Sequence, residues 1–132
     1  MENLIEDFLN INNTFAVVGV SRDPAKYGNK IYAYLKLSGY NVYPINPNIE
    51  EIFGDKCYLS LDKLPIKPDV VDIVVPPRIT EEIVKQCKIL GVTNIWLQPG
   101  SESEEAIKFC QENNIKLVFG VCVMAEKNLH NN

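Results

Sequence analysis

The sequence predicts an α/β protein with a Rossmann-like, doubly wound fold, in which helices cover both faces of a mostly parallel sheet. Apolar, β-branched segments alternate along the chain with segments of helical periodicity. The strand segment at 15–20 is continuously apolar, which is typical of a strand that is buried on both faces. Strict alternation of strand and helix favours right-handed crossovers into a parallel sheet. The 132 residues, with 46% hydrophobic content, predict a single domain over residues 1–132.

The first half of the chain supplies two strands and two helices. The predicted elements are a helix at about residues 2–11, a strand at 15–20, a helix at 29–38 and a strand at 41–46. The first helix should end at Asn12-Asn13, and the second at Gly39, a residue suited to a left-handed helix cap. Pro44 lacks an amide hydrogen, so the second strand should lie at an edge of the sheet or contain a bulge.

The second half repeats the alternation after a short, broken stretch at residues 49–65. Strands are predicted at 70–75, 94–98 and 116–119, and a helical turn at 60–64. Thr80 is the predicted N-cap of a helix that closes at Gly91, and Ser103 should begin the next helix. The terminal tail, which contains the single histidine His130, is expected to fray.

Composition narrows the function classes. The formal charge is -4 and no dense basic run is present, so nucleic acid is not an expected partner. The acidic N-terminus does not resemble a secretory signal, and no apolar run approaches the ~18 residues of a membrane span. The four cysteines are scattered without a C-x-x-C pair. These features predict a cytoplasmic protein with reduced thiols, no metal site and no membrane partner.

Polar and glycine-containing segments follow four of the predicted strands, at 19–22, 46–48, 76–78 and 98–101. In open parallel sheets, ligands bind beyond the carboxyl ends of the strands, where the strand order reverses. Gly19 allows close approach of the backbone to a ligand, Ser21 offers a hydroxyl, and the following helix directs amides toward an anion. Arg22 and Lys26 add positive charge. We therefore expect a phosphate-bearing ligand at this loop.

The loop departs from the dinucleotide pattern G-x-G-x-x-G. Ser21 occupies the second glycine position, and residues 23–27 lengthen the approach to Gly28. Asn46 lies about where an acidic residue would hold the ribose of NAD. No G-x-x-x-x-G-K-[ST] sequence is present, and no internal histidine is available for acid–base chemistry. The pattern argues against NAD, against a P-loop ATPase and against a catalytic site.

Five blocks carry a family resemblance, at residues 18–22, 39–47, 71–77, 95–100 and 120–124. In this order and at these spacings, over about residues 15–127, the chain resembles small stand-alone CoA-binding proteins. These are relatives of the CoA-binding domain of succinyl-CoA synthetase and of ADP-forming acyl-CoA synthetases. The resemblance implies CoA or an acyl-CoA at the strand ends. It does not imply catalysis, because the synthetases use a phosphorylated histidine and further domains that have no match here.

By that resemblance Gly19, Ser21 and Arg22 would meet phosphate and Asn46 and Pro47 would border the nucleotide. The rest of the groove would be lined by Val75, Pro76, Gln98 and Gly100. The complete set of candidate cofactor-binding residues is Gly19, Val20, Ser21, Arg22, Lys26, Gly28, Asn46, Pro47, Val75, Pro76, Gln98 and Gly100.

Three functions follow in order of preference. The first is non-catalytic binding of CoA or an acyl-CoA, with free CoA, acyl-CoA and CoA disulfide all compatible with the residues. The second is an enzyme that uses NAD or another nucleotide, which only the fold analogy favours. The third is an interaction module with a vestigial nucleotide groove, which assembles with itself or with a synthetase-like partner.

Overall fold

The computed structural model describes residues 1–130 and confirms the α/β architecture. In chain order the elements are α1 (Glu2–Phe8), β1 (Thr14–Val18), α2 (Tyr27–Leu37), β2 (Asn41–Ile45), β3 (Glu51–Ile52), β4 (Asp55–Lys56), β5 (Val70–Ile73), α3 (Pro77–Leu90), β6 (Asn94–Leu97), α4 (Glu104–Glu112), β7 (Lys116–Phe119) and α5 (Val123–Leu129). A single 3₁₀ turn at Leu61–Lys63 precedes β5. The predicted strands and helices are present. The strands predicted at 15–20, 41–46, 70–75 and 94–98 end one or two residues earlier, and the helix predicted at 29–38 begins at Tyr27.

Five strands form one parallel sheet in the order β2-β1-β5-β6-β7. From β1 the chain first moves outward to β2, and then crosses to β5 and continues to β7. The strand order therefore reverses between β1 and β5, which is the arrangement of a doubly wound sheet. The short strands β3 and β4 form a separate antiparallel hairpin.

Two hydrophobic cores lie on opposite faces of this sheet. Phe15, Val17 and Trp96 point into the core formed with α1, α2 and α5. Ala16 and Val18 point the other way, into the core formed with α3 and α4. Successive side chains of a strand point to opposite faces of the sheet. Since each face is covered by a core, the side chains on both faces are buried. This explains why the segment at 15–18 is continuously apolar.

The predicted position of Pro44 at an edge is confirmed. Pro44 lies opposite Val17 in β2, the outermost strand of the sheet. On the side facing away from β1, its carbonyl accepts a hydrogen bond from the backbone N–H of Tyr58, at 2.9 Å. A proline is tolerated here because β1 requires no amide hydrogen from this position.

Two predicted helix ends are wrong. α1 ends at Phe8 and not near residue 11, because the Asn13 side chain donates to the carbonyls of Asp7 and Phe8, at 2.9 and 3.1 Å, and so satisfies the end of the helix. α3 begins at Pro77, and Thr80 is fully buried inside it. Proline suits the first helical position, since that position needs no amide hydrogen and the ring fixes the required φ.

The tail around His130, which was predicted to fray, follows a helix at residues 123–129 that the sequence analysis did not predict, and residues 131–132 lie outside the described part of the chain. α5 packs Val123 and Met124 into the core on the α1 side of the sheet. His130 follows this helix, and its Nε2 lies 3.0 Å from the Glu2 carboxylate of α1. Burial of one apolar face and this contact hold the segment that was expected to fray. Among residues 1–130, no helix has the length and apolar content needed to span a membrane.

Candidate functional site

A cavity of about 380 Å³ lies at the carboxyl ends of β1, β2 and β5, where the strand order of the sheet reverses. Its walls are mainly apolar, with polar groups interspersed around them. The lining residues are Val18, Gly19, Ile45, Asn46, Pro47, Asn48, Leu59, Ser60, Leu61, Val75, Ile79, Glu82, Ile83 and Gln86. The volume lies within the range of roughly 300–1,000 Å³ that is usual for ligand pockets.

Gly19 is where two loops of the site come into direct contact. Its φ is +102°, and a Cβ built on it would lie 2.2 Å from the carbonyl oxygen of Val74. That is far inside van der Waals contact, so only glycine fits between the loop after β1 and the loop after β5. The close approach brings Val75 beside Gly19 at the cavity wall.

The absence of a side chain at Gly28 allows the start of α2 to pack closely against the same loop. A Cβ on Gly28 would lie 2.1 Å from the carbonyl oxygen of Gly19. Tyr27 and Gly28 are the first residues of α2, and the first amides of a helix have no partner within it. These amides and the positive end of the helix dipole therefore lie beside Gly19, which is the arrangement that binds phosphate.

Short-range hydrogen bonds fix the loop between Gly19 and α2. The backbone N–H of Asp23 donates to the Ser21 hydroxyl at 3.1 Å, and the Asp23 carboxylate accepts from the N–H of Ala25 at 2.9 Å. The Asn29 side chain, on the first turns of α2, donates to the Ser21 carbonyl at 2.9 Å. The loop is therefore ordered by its own polar side chains, in the manner of successive Ser and Asx turns.

Asn46 connects the end of β2 to the loop after β1. Its Nδ2 donates to the Val20 carbonyl at 2.7 Å, and its Oδ1 accepts from the N–H of Asn48, also at 2.7 Å. Both halves of the amide are used within the protein. An asparagine can serve in this way because it carries both a donor and an acceptor, whereas the aspartate typical of NAD sites has only acceptors.

The two predicted cationic residues lie on the exposed side of the loop. Lys26 is the N-cap residue of α2, where an anion bound at the helix start would be close. The Arg22 guanidinium lies 3.7 Å from the Glu51 carboxylate of β3, and the arginine side chain is 65% exposed. The other oxygen of Glu51 accepts from the N–H of Gly54 at 2.8 Å. Arg22 is thus held loosely toward the β3–β4 hairpin and remains accessible.

The predicted residues fall into three positions. Gly19, Asn46, Pro47 and Val75 line the cavity. The loop and helix start beside it contain Val20, Ser21, Arg22, Lys26 and Gly28, of which Val20 is a buried core residue. The three remaining residues belong neither to the cavity lining nor to the loop before α2. They are Pro76, which is the N-cap of α3, and Gln98 and Gly100, which follow β6.

Gln98 is a buried connector within the protein, only 3% exposed. Its Nε2 donates to the Asp72 carboxylate at 2.7 Å, and its Oε1 accepts from the backbone N–H of Val123 at 3.2 Å. Asp72 is fully buried, and its second oxygen, Oδ2, has no hydrogen-bond partner among residues 1–130. Burial raises the pKa of Asp72 to about 7, although the bond from Gln98 acts in the opposite direction.

The lining residues that sequence reasoning missed come from α3 and from the segment before β5. Ile79 and Ile83 lie four residues apart on α3, and Leu59 and Leu61 lie at the 3₁₀ turn before β5. The helical spacing of Ile79 and Ile83 was readable, but the predicted start at Thr80 left the first of them outside the helix. Leu61 lies in the helical turn that was predicted at 60–64, but no sequence pattern indicated that this turn and Leu59 border the cavity.

The sequence model of the CoA binding domain matches residues 13–128. The chain belongs to the CoA binding domain family. ADP-forming acetate–CoA ligase I of Archaeoglobus fulgidus is 39% identical over 118 residues, which cover 82% of this chain and 17% of the ligase. The chain therefore spans about a sixth of the length of this relative. The uncharacterized protein YneT of Bacillus subtilis is 24% identical over 119 residues, covering 90% of this chain and 88% of YneT.

A solved structure shares the whole fold of this chain. A hypothetical protein from Pyrococcus horikoshii OT3 superposes with a TM-score of 0.93 and 35% identity, covering 100% of this chain and 93% of that one. The family resemblance stated from the sequence blocks is therefore confirmed, as is the Rossmann-like fold.

Proposed function

We propose that this protein binds CoA or an acyl-CoA at the carboxyl edge of its sheet and does not transform it. The observation that carries the proposal is the contact of Gly28 with Gly19, which places the unpartnered amides at the start of α2 beside the cavity. Membership of the CoA binding domain family supports CoA as the nucleotide. CoA carries both a pyrophosphate and an adenine, which suit an anion-binding helix start and an apolar cavity respectively.

Binding without transformation is supported by the residues around the cavity. None of its described lining residues is a histidine, a cysteine or a lysine. Ser60 and Glu82 are of types that serve as nucleophile and base, but the Ser60 hydroxyl donates to the Asp62 carboxylate and not to Glu82. His130 instead contacts α1 through Glu2. The ligase relatives are much longer than this chain, and acetate activation by the whole ligase is not part of the proposal.

The proposal is tested by calorimetry and thermal unfolding with CoA, acetyl-CoA and NAD(H) in parallel. A ligand present at about 100 times its dissociation constant stabilises the native state by roughly 2.7 kcal/mol. We expect CoA or acetyl-CoA to raise the melting temperature and to give a binding isotherm. No shift and no heat at millimolar CoA would refute the proposal, and stabilisation by NAD(H) alone would favour the nucleotide-dependent enzyme.

Lys26→Ala should weaken CoA binding by about three- to tenfold, because it removes a positive charge from the start of α2 while leaving the exposed loop otherwise unchanged. Lys85→Ala is the matched control, since Lys85 lies on α3 in a separate depression together with residues of α4. Calorimetry on both variants measures the effect. Equal affinities in the two variants would show that the phosphates do not bind beside Lys26.

Assembly with a second copy or with a synthetase-like partner remains compatible with this proposal. Light scattering with and without CoA distinguishes an oligomer controlled by the ligand from a constitutive one. A monomer in both conditions would exclude self-assembly.

A further inference from the structure

One face of α3 borders the cavity with two apolar and two polar side chains. Ile79, Glu82, Ile83 and Gln86 follow the helical spacing of three and four residues, so they lie on the same side of the helix. Ile79 and Ile83 supply apolar parts of the cavity wall, as do Leu59 and Leu61 from the segment before β5. Glu82 is the only acidic residue among the described residues that line this cavity.

Glu82 has no structural task within the protein. No hydrogen bond or ion pair between residues 1–130 involves its carboxylate or the Gln86 amide. The neighbouring Glu81 differs, because its carboxylate accepts a hydrogen bond from the Ser103 hydroxyl at 2.7 Å and so joins α3 to the start of α4. Of two successive glutamates, one supports the fold and the other is free at the cavity.

The position of the phosphates determines which part of a nucleotide reaches α3. If the pyrophosphate lies at the start of α2, Gly19 separates it from the apolar walls formed by Val75, Ile79 and Leu61. A planar base suits a space between two apolar walls, because it buries both of its faces there. Only the polar edge of the base then needs hydrogen-bonding partners.

A carboxylate can accept hydrogen bonds but cannot donate them. Adenine presents an exocyclic amino group, which is a donor, at the position where guanine presents a carbonyl oxygen. At position 6 of the purine, a carboxylate therefore accepts from the amino group of adenine and opposes the carbonyl oxygen of guanine. The selection depends on this position, because the N1–H and 2-amino groups of guanine are donors that a carboxylate also binds. The adjacent Gln86 amide can donate to a ring nitrogen, since its side chain carries both kinds of group.

We propose that Glu82 selects adenine at this site, by accepting a hydrogen bond from the exocyclic amino group of the base. This inference rests on the proposed function, because it takes the adenine of the bound nucleotide to lie between α3 and the segment at Leu59–Leu61. It assigns a specificity-determining role to a residue that contributes neither to the phosphate-binding loop nor to the fold.

The test measures the ratio of GDP to ADP dissociation constants by calorimetry, in the wild-type protein and in Glu82→Gln. Glutamine has nearly the same shape, but its amide can also donate to the guanine carbonyl. The wild type should bind ADP at least tenfold more tightly than GDP, and the variant should lose most of that ratio. Glu112→Gln removes one negative charge from α4 outside the cavity, so it controls for the general attraction of a less acidic protein for anions.

The outcomes separate this inference from the proposal beneath it. A ratio that falls in Glu82→Gln and persists in Glu112→Gln supports adenine selection. If the protein binds CoA, any of three results would overturn adenine selection and leave CoA binding in place. These are an unchanged ratio in Glu82→Gln, no discrimination between ADP and GDP in the wild type, and no binding of ADP. Failure of the wild type to bind CoA and both diphosphates would overturn both. Melting curves confirm that each variant is folded.

Discussion

Gly19→Ala is expected to lower the free energy of unfolding by about 2–5 kcal/mol, because it combines left-handed backbone strain of roughly 1–2 kcal/mol with overpacking of roughly 1–3 kcal/mol. The new Cβ would lie 2.2 Å from the Val74 carbonyl oxygen, at a φ of +102°. Relief of this clash requires the loops after β1 and β5 to separate. We therefore also expect CoA affinity to fall. Urea unfolding measures the stability, and calorimetry measures the binding.

Gly39→Ala is the matched control for this substitution. Gly39 has a similar φ of +95°, but a Cβ there would meet only the Ile11 side chain, at an ordinary contact distance of 3.8 Å. It should lose about 1–2 kcal/mol from backbone strain alone and retain its CoA affinity. If the two variants are equally destabilised, the close approach of the two loops at Gly19 contributes nothing measurable.

Asp72→Asn should remove a pH dependence of stability between about pH 4 and pH 7. The pKa of the Asp72 carboxyl rises from 3.8 to about 7 on folding, chiefly through burial. Between these values the native state binds a proton that the unfolded state has released. The wild-type protein therefore loses stability as pH rises through this window, by up to about 4 kcal/mol, and the loss levels off above pH 7.

The measurement is urea unfolding of the wild type and Asp72→Asn at a series of pH values. The amide cannot ionise, so the wild-type stability relative to the variant should fall as pH rises from 4 to 7. Any constant cost of placing an amide beside the position of Oδ2 shifts the comparison without changing its slope. Parallel stability curves would show that Asp72 titrates normally in the folded protein.

Asp55→Asn should change the pH dependence of stability in the opposite direction. Hydrogen bonds from Lys36 and Tyr32 hold the pKa of Asp55 below its usual value. The Asp55 carboxylate therefore stabilises the protein above its ordinary pKa, and this contribution disappears as pH falls. Asp55→Asn should be less stable than the wild type at neutral pH, and the two should converge in acid. The Asp72 and Asp55 variants thus depart from the wild type in opposite directions.

The strands of the sheet could be predicted because their physical signal is local. Segment 15–18 is apolar at every position, and segment 70–73 is apolar except for the buried Asp72, since the apolar side chains enter one of two cores. The edge position of β2 was also readable, because Pro44 cannot supply an amide hydrogen. These features follow from single residues or from short runs and do not depend on distant contacts.

The missed elements depend on contacts that a local pattern does not contain. α5 is short and ends near the terminus, and its stability comes from packing against the core and from the contact of His130 with Glu2. The β3–β4 hairpin turns at Phe53 and Gly54, with φ of +52° and +81°. A turn of this kind usually has the sequence Asn-Gly or Asp-Gly, so Phe53-Gly54 did not indicate it.

The candidate site was predictable at its loops and not at its far wall. Gly19 and Asn46 were recognisable from their places after strands, and both lie at the cavity. Gln98 also follows a strand, but its side chain turns inward to Asp72, and no sequence pattern distinguishes that direction from the opposite one. Glu82 was not among the predicted site residues, and the true start of its helix at Pro77 was not recognised.

Pro44 has a consequence for how the protein behaves at high concentration. An outer strand with free backbone donors can act as a template for a strand of another molecule, which begins domain swapping or aggregation. At Pro44 the outward position has no donor, and its carbonyl is already engaged by the Tyr58 amide. A foreign strand therefore meets a gap in the hydrogen-bonding pattern in the middle of β2. The proline that is tolerated in β2 because the strand lies at the edge thus also protects the native sheet from being extended.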